Sequence, residues 1–211
     1  VVISACLSFA DVRGMLALYR LRRVEFGLSV ASFLGVALVG VVEGIALAVL
    51  LSMAVVVGKA WHPYRATLVR VDGRKGWHDA SRHPEGRAVP GLVIFRWDAP
   101  LFFANADLFH DEVLAEVARA GAGTVQVLVA ADAITDVDVT AADALVELDG
   151  ALRRQGIELR FAGLKGPVKD RLVRLGLSGR FDVGHFEETV GSAVNRFRER
   201  HRPDWKDWDE D

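Results

Sequence analysis

The chain has 211 residues, room for one domain of about 150 residues and a smaller companion. A single cysteine, Cys6, excludes an intrachain disulfide framework and a cysteine-based zinc site, and 51% apolar residues without a glycine period exclude collagen-like, coiled-coil and disordered classes. The formal charge of −2 gives no sign of a nucleic-acid surface, but it averages two unlike pieces: residues 1–61 carry five basic and three acidic side chains, the remainder 21 and 25.

Residues 1–10, VVISACLSFA, are apolar from the first position and lack the basic region and cleavage site of a signal peptide, so they read as the end of a preceding helix in a longer membrane protein. From Phe26 to Gly58 run 33 residues with one ionisable side chain, Glu43. A helix needs about 20 apolar residues to cross ~30 Å of hydrocarbon. The run therefore predicts two short helices turning around Gly40 to Gly44, with Ser29, Ser32, Gly35, Gly40, Gly44, Ser52 and Gly58 allowing close packing. Arg13, Arg20, Arg22 and Arg23 precede the run and Lys59, Arg65 and Arg70 follow it, so the positive-inside rule puts both ends in the cytoplasm. Glu43 is the candidate membrane-embedded polar site, because intramembrane carboxylates serve ion paths; a place in the interhelical turn is the plainer reading and the preferred one. Residues 1–61 are thus taken as a transmembrane segment.

Residues 62–203 read as a water-facing domain. Pro63 stops the last apolar helix, RATLVRVD (65–72) alternates as a strand, and 73–91 is a polar loop. GLVIFRW (91–97) is a second strand and LFFA (101–104) a short one paired back to it. Asn105 is placed as the N-cap of a helix over 106–120, with Leu108, Phe109, Val113, Leu114 and Val117 at helical spacing. TVQVLVAA (124–131) is a continuous β-branched run, the mark of a strand covered on both faces. A loop and a helix over 140–154, striped by Ala144, Leu145, Leu148 and Leu152, lead to a strand at 157–163. Pro167 opens a third helix ending near Gly176, Phe181 to Val183 is a short strand, and 187–200 is an amphipathic helix on Val190, Val194 and Phe197. This alternation predicts an α/β sandwich with an open sheet, and residues 204–211 a disordered acidic tail.

Three patterns, VPGLVIFRWDAPLFFANADLF (89–109), ITDVDVTAADAL (134–145) and the apolar hairpin with its trailing Pro63-Tyr64, together resemble the C-terminal part of the SulP family of anion transporters. The resemblance covers nearly the whole chain. It implies a mixed-sheet α/β STAS domain, similar to anti-anti-sigma factors, behind the last helices of a multi-pass transporter in a bacterial-type inner or plasma membrane. It further implies an inorganic anion handled by the complete transporter, a homodimer, a regulatory protein on the STAS surface, and no nucleic-acid partner. In the anti-anti-sigma relatives the loop before the second helix carries a phosphorylatable serine. The matching position is Thr140, with Asp138 two residues before it, and a helix N-terminus tolerates an added phosphate. Phosphothreonine there would add nearly two negative charges beside Asp136, Asp138 and Asp143. The plainer reading, which the residues favour, is that the Thr140 hydroxyl caps the helix. Where the family commonly has Leu-Asp before this loop, Val129-Ala130 stands here and Asp132 is the nearest acid.

No catalytic constellation emerges from the spacing, and no GxxxxGK or GxGxxG is present. His62, His78, His83, His110, His185 and His201 are scattered, so neither enzyme, cofactor nor metal is expected. The alternative to a transporter fragment is a membrane-tethered STAS signalling module regulated at Thr140.

Overall fold

The computed structural model describes residues 12–209, and their contacts divide the chain after Lys59 into two units. The reading of residues 1–10 lies outside the described residues.

The first unit is helical: α1 (Val12–Leu21), α2 (Arg23–Leu38) and α3 (Val41–Trp61), whose last two residues, Ala60 and Trp61, belong to the second unit. Two helices do cover the 26–58 run, but the break falls at residues 39–40, before Gly44, and α3 has 21 residues, a full span rather than half of one. Gly40 turns the chain with φ 147°, a conformation that side chains disfavour. Gly44 is helical, outside the turn, and serves the close packing expected of it: a Cβ there would lie 2.4 Å from the Val36 backbone nitrogen, so α2 and α3 approach backbone to backbone. Gly35 and Gly44 are the buried residues of these helices, while Phe33 is 69% and Val42 76% exposed. An apolar surface this open has no globular solution in water. Among the described residues α3 is the one helix long and apolar enough to cross a membrane, with a mean hydropathy of 2.4.

The second unit contains β1 (Arg65–Arg70), β2 (Trp77–Asp79), β3 (Leu92–Trp97), α4 (Ala106–Ala120), β4 (Gln126–Ala130), α5 (Val139–Arg154), β5 (Glu158–Ala162), α6 (Gly166–Arg174), β6 (Phe186–Glu187) and α7 (Val190–His201). One mixed sheet runs β2-β1-β3-β4-β5-β6, with β1 antiparallel to both neighbours and β3 to β6 parallel. Alternation along the strands sorts two cores. Phe95, Trp97, Val127, Val129 and Phe161 point to one side, where they join Phe109, Val113 and Val117 of α4, Leu145, Leu148 and Leu152 of α5 and Leu172 of α6. Leu68, Ile94, Leu128 and Ala162 point to the other, under Val194 and Phe197 of α7. Every residue of β4 is buried, as the β-branched run requires of a strand with helices on both faces.

Several local expectations give way. LFFA forms no strand: Leu101 makes a single parallel bridge to Val137, and the chain turns over 102–105. Asn105 sits at the N-cap position of α4 without capping it. Its fully buried carboxamide accepts from Phe102 N (3.0 Å) and donates to the carbonyls of Pro100 (3.0 Å) and Ala60 (3.1 Å). The 73–91 loop contains a strand, β2, because Arg70 draws the carbonyls of Arg74 and Gly76 toward it and turns the chain back onto β1. Residues 181–183 are not a strand either. The Asp182 carboxylate accepts from Gly184 N (2.9 Å) and starts a 3₁₀ turn, so the ladder resumes only at β6.

The expected disordered tail is also corrected, over residues 204–209. Arg202 ends α7 in the left-handed region (φ 47°, ψ 53°) and Pro203 follows, which folds the chain back along the sheet. Trp205 then stacks on Trp77 at 6.2 Å and 19°, and Asp207 and Asp209 bind Arg70 at 2.8 and 2.9 Å.

Candidate regulatory site

The loop between β4 and α5 is fixed from both sides. Leu101 N donates to the Asp136 carbonyl (3.0 Å) and Asp138 N to the Leu101 carbonyl (3.2 Å), so the loop runs beside the segment that follows β3. Asp138 then divides its carboxylate: Oδ1 accepts from Ala141 N (2.8 Å) and Oδ2 from Phe103 N (2.8 Å). Asp138 is therefore the N-cap of α5, and it also binds the start of the helix to the 102–105 turn. The expectation that Thr140 caps the helix is overturned. The helix begins at Val139, one residue earlier than its apolar stripe suggests, which places Thr140 inside the first turn with its hydroxyl exposed.

Phe103 and Val139, 67% and 63% exposed, flank this cap with apolar surface. Arg171 from α6 donates to the Val137 carbonyl (3.1 Å) and lies 3.6 Å from Asp136, so one cation stands among the acids. Asp143 is exposed on the next turn of α5. A phosphate on Thr140 would meet the positive end of the α5 dipole together with the charge of Asp138 and Asp143. The arrangement is an exposed acidic helix start flanked by two exposed apolar side chains. It holds no nucleophile paired with a base.

Glu43 lies in the first turn of α3, exposed, its carboxylate so close to Gly40 that a Cβ there would run into it. A carboxylate at that position complements the helix dipole. His78 and His83 meet edge to face at 5.3 Å, yet among the described residues no three metal-ligating side chains come together. Asp132 packs against Gly163 (φ 74°), whose missing Cβ leaves the carboxylate its space. It lines a cleft of about 450 Å³ with Arg96, Asp98 and Thr189 at the start of α7. Arg96 donates to Asp98 at 2.7 Å, and this bond keeps the guanidinium above its usual range against the burial that opposes it. Spacing alone did not reveal the cleft, since its walls come from β3, the end of β4 and α7.

The STAS domain family model matches residues 83–193, and the chain belongs to that family. A probable sulfate transporter of Mycobacterium tuberculosis is 35% identical over 199 residues, covering 94% of this chain and 36% of that protein. Sulfate transporter 1.3 of Arabidopsis thaliana is 25% identical over 201 residues, covering 90% of this chain and 29% of that one. The chain thus spans about a third of the length of these curated relatives. Among solved structures, the murine solute carrier 26 family member A9 anion transporter in its inward-facing state has the same fold over 87% of this chain and 30% of its own, with a TM-score of 0.78 at 20% identity.

Proposed function

We propose that the chain is the C-terminal part of a SulP-type secondary anion transporter: its last membrane helices followed by a cytoplasmic STAS domain. The observation that carries this reading is the 35% identity to a probable sulfate transporter through both units, including the apolar helices as well as the STAS fold. The exposed apolar surfaces of α2 and α3 suit a lipid bilayer and the remaining helices of the complete protein. In that protein the anion is held near the bilayer midplane by half-helix N-termini and moves by alternating access. This chain by itself neither binds the anion fully nor carries it. The STAS domain serves regulation, trafficking or contact within a homodimer, and its surface near Thr140 and Asp138 receives a regulatory protein. Glu43 sits in the first turn of α3, just past the interhelical turn expected for it, and has a place at the helix start rather than in the ion path. Uptake of labelled sulfate, bicarbonate and dicarboxylates by cells expressing the complete protein tests the reading: saturable uptake of one of them supports it, and uptake of none defeats it. Glu43→Gln is expected to retain that uptake.

A second reading, a tethered signalling module switched at Thr140, is favoured by one observation, the exposed hydroxyl at a helix N-terminus. Phosphopeptide mapping of the protein from its native host separates the two, because occupancy at Thr140 supports the switch and its absence leaves the cap alone.

A further inference from the structure

The face made by β1, β2 and the flank of α7 is rich in guanidinium groups and indole. Arg70, its side chain 8% exposed, is saturated with acceptors. Nη1 donates to the carbonyls of Gly76 (2.8 Å) and Arg74 (3.3 Å), Nε to Asp207 (2.8 and 3.0 Å) and Nη2 to Asp209 (2.9 Å). Burial opposes its charge, but the hydrogen bonds and charge of the two aspartates outweigh that and hold the group above its usual range. Trp205 lies on Trp77 with Arg87 and Arg198 at 5.6 and 5.2 Å from its ring, and Trp208 stands 5.6 Å from Arg70. Arg87 also donates to the Lys206 carbonyl at 3.1 Å.

These contacts are of the recognition type. Residues 204–209 add little to the aliphatic core, where Trp205 alone packs at its margin. They are held instead by charge-assisted hydrogen bonds and by cation–π contacts, which read a sequence of acids and tryptophans. The fit is also incomplete. The indole Nε1 atoms of Trp205 and Trp208 are shielded from solvent with no acceptor among the described residues, and a cleft of about 330 Å³ bordered by Arg70, Gly76, Trp77, Val194 and Asn195 stays open beside Asp207 and Asp209. The segment leaves α7 through a hinge, the left-handed Arg202 followed by Pro203.

We propose that this face is a docking site for an acidic, tryptophan-bearing segment of a partner protein, and that residues 204–209 occupy it in cis as a displaceable strap. A strap tethered at the hinge acts at a millimolar effective concentration, so it sets a threshold that a partner segment must exceed. A partner segment whose own indoles find acceptors, or which fills the open cleft, has the means to exceed it. The site is separate from Thr140 and stands whether or not the complete protein transports an anion.

The test uses a fluorescein-labelled peptide of residues 203–211 and the detergent-solubilised chain in two forms, intact and ending at Arg202. Anisotropy is expected to show saturable binding to the shortened chain and binding at least tenfold weaker to the intact one. A peptide carrying Asp207→Asn and Asp209→Asn is expected to lose at least tenfold in affinity. If the shortened chain does not fold, the full-length Trp205→Ala/Trp208→Ala variant, with its strap unseated, takes its place. No saturable binding to a folded strap-free form, equal binding of the substituted peptide, or failure of both variants to fold would each overturn the proposal, the last because the strap would then be core.

Discussion

Arg160 of β5 and Glu187 of β6 face each other across the last parallel ladder at 2.9 Å, their side chains 7% and 4% exposed. The pair is a charged patch inside the sheet face that α7 covers elsewhere with apolar residues. Arg196 reaches Glu187 at 3.1 Å from the solvent side, and Glu158 stands 3.0 Å from Arg160. Removing Glu187 leaves the buried Arg160 with only the more exposed Glu158 beside it, which costs more than an exposed ion pair contributes. Glu187→Gln should destabilise the chain by about 2–4 kcal/mol. Replacing Arg160 and Glu187 together by leucine should recover most of that loss, and denaturant melts of the three proteins check both outcomes.

Asp138 and Thr140 should separate cleanly on mutation. Asp138→Ala removes an acceptor from both Ala141 N and Phe103 N and should cost about 1–2 kcal/mol. Thr140→Ala removes an exposed hydroxyl and should stay within about 0.5 kcal/mol of the parent. Thermal melts show the contrast, and equal effects would return the capping role to Thr140.

The glycines of the helical unit make a matched comparison. At Gly44 a Cβ would meet Val36 backbone atoms at 2.4 and 2.6 Å, whereas at Gly58 it would meet nothing within 4 Å. Gly44→Val should therefore force α2 and α3 apart, at a cost of about 1–3 kcal/mol. Gly58→Ala should be neutral. The monodisperse yield and melting temperature in detergent report the difference.

Asp79 supplies a pH dependence. Its carboxyl is held below the usual aspartate range, chiefly by the hydrogen bond from the Tyr64 hydroxyl, with burial opposing and Ser81 adding to it. A depressed folded-state value means that this stabilisation is present above about pH 4 and lost as the pH falls through it. Tyr64→Phe should flatten the acid side of the stability curve. At neutral pH it should lower stability by less than about 1 kcal/mol, because Tyr64 is half exposed to solvent. Melts between about pH 3 and pH 7 follow the change.

What could be read from the sequence was what depends on neighbours along the chain. The apolar stripe Phe109, Val113 and Val117 and the β-branched run of β4 each place their element within two residues, and the reversal of the apolar run is visible in its length. What could not be read depends on partners far away. The strap is ordered by Arg70, more than 130 residues before Asp207 and Asp209, and its acids look unpaired without it. β2 is equally hidden, since the contact that draws the Gly76 carbonyl back comes from the side chain of Arg70 on the preceding strand. At the start of α5 Asp138 was already in view. Its role changed because an N-cap two residues earlier exchanges the expected capping threonine for a capping aspartate. Asn105 was misplaced for a related reason: a buried carboxamide binds whichever carbonyls surround it, here those of Pro100 just before its own helix and of the distant Ala60.

The six-stranded sheet ends on one side at β2, three residues long, and on the other at β6, two residues long. Such stubs give an incoming strand almost no unpaired amides to register against, which blocks runaway polymerisation through the sheet. Two copies joining into a pair must accordingly meet through helices or loops, and a continuous twelve-stranded sheet is not among the available geometries.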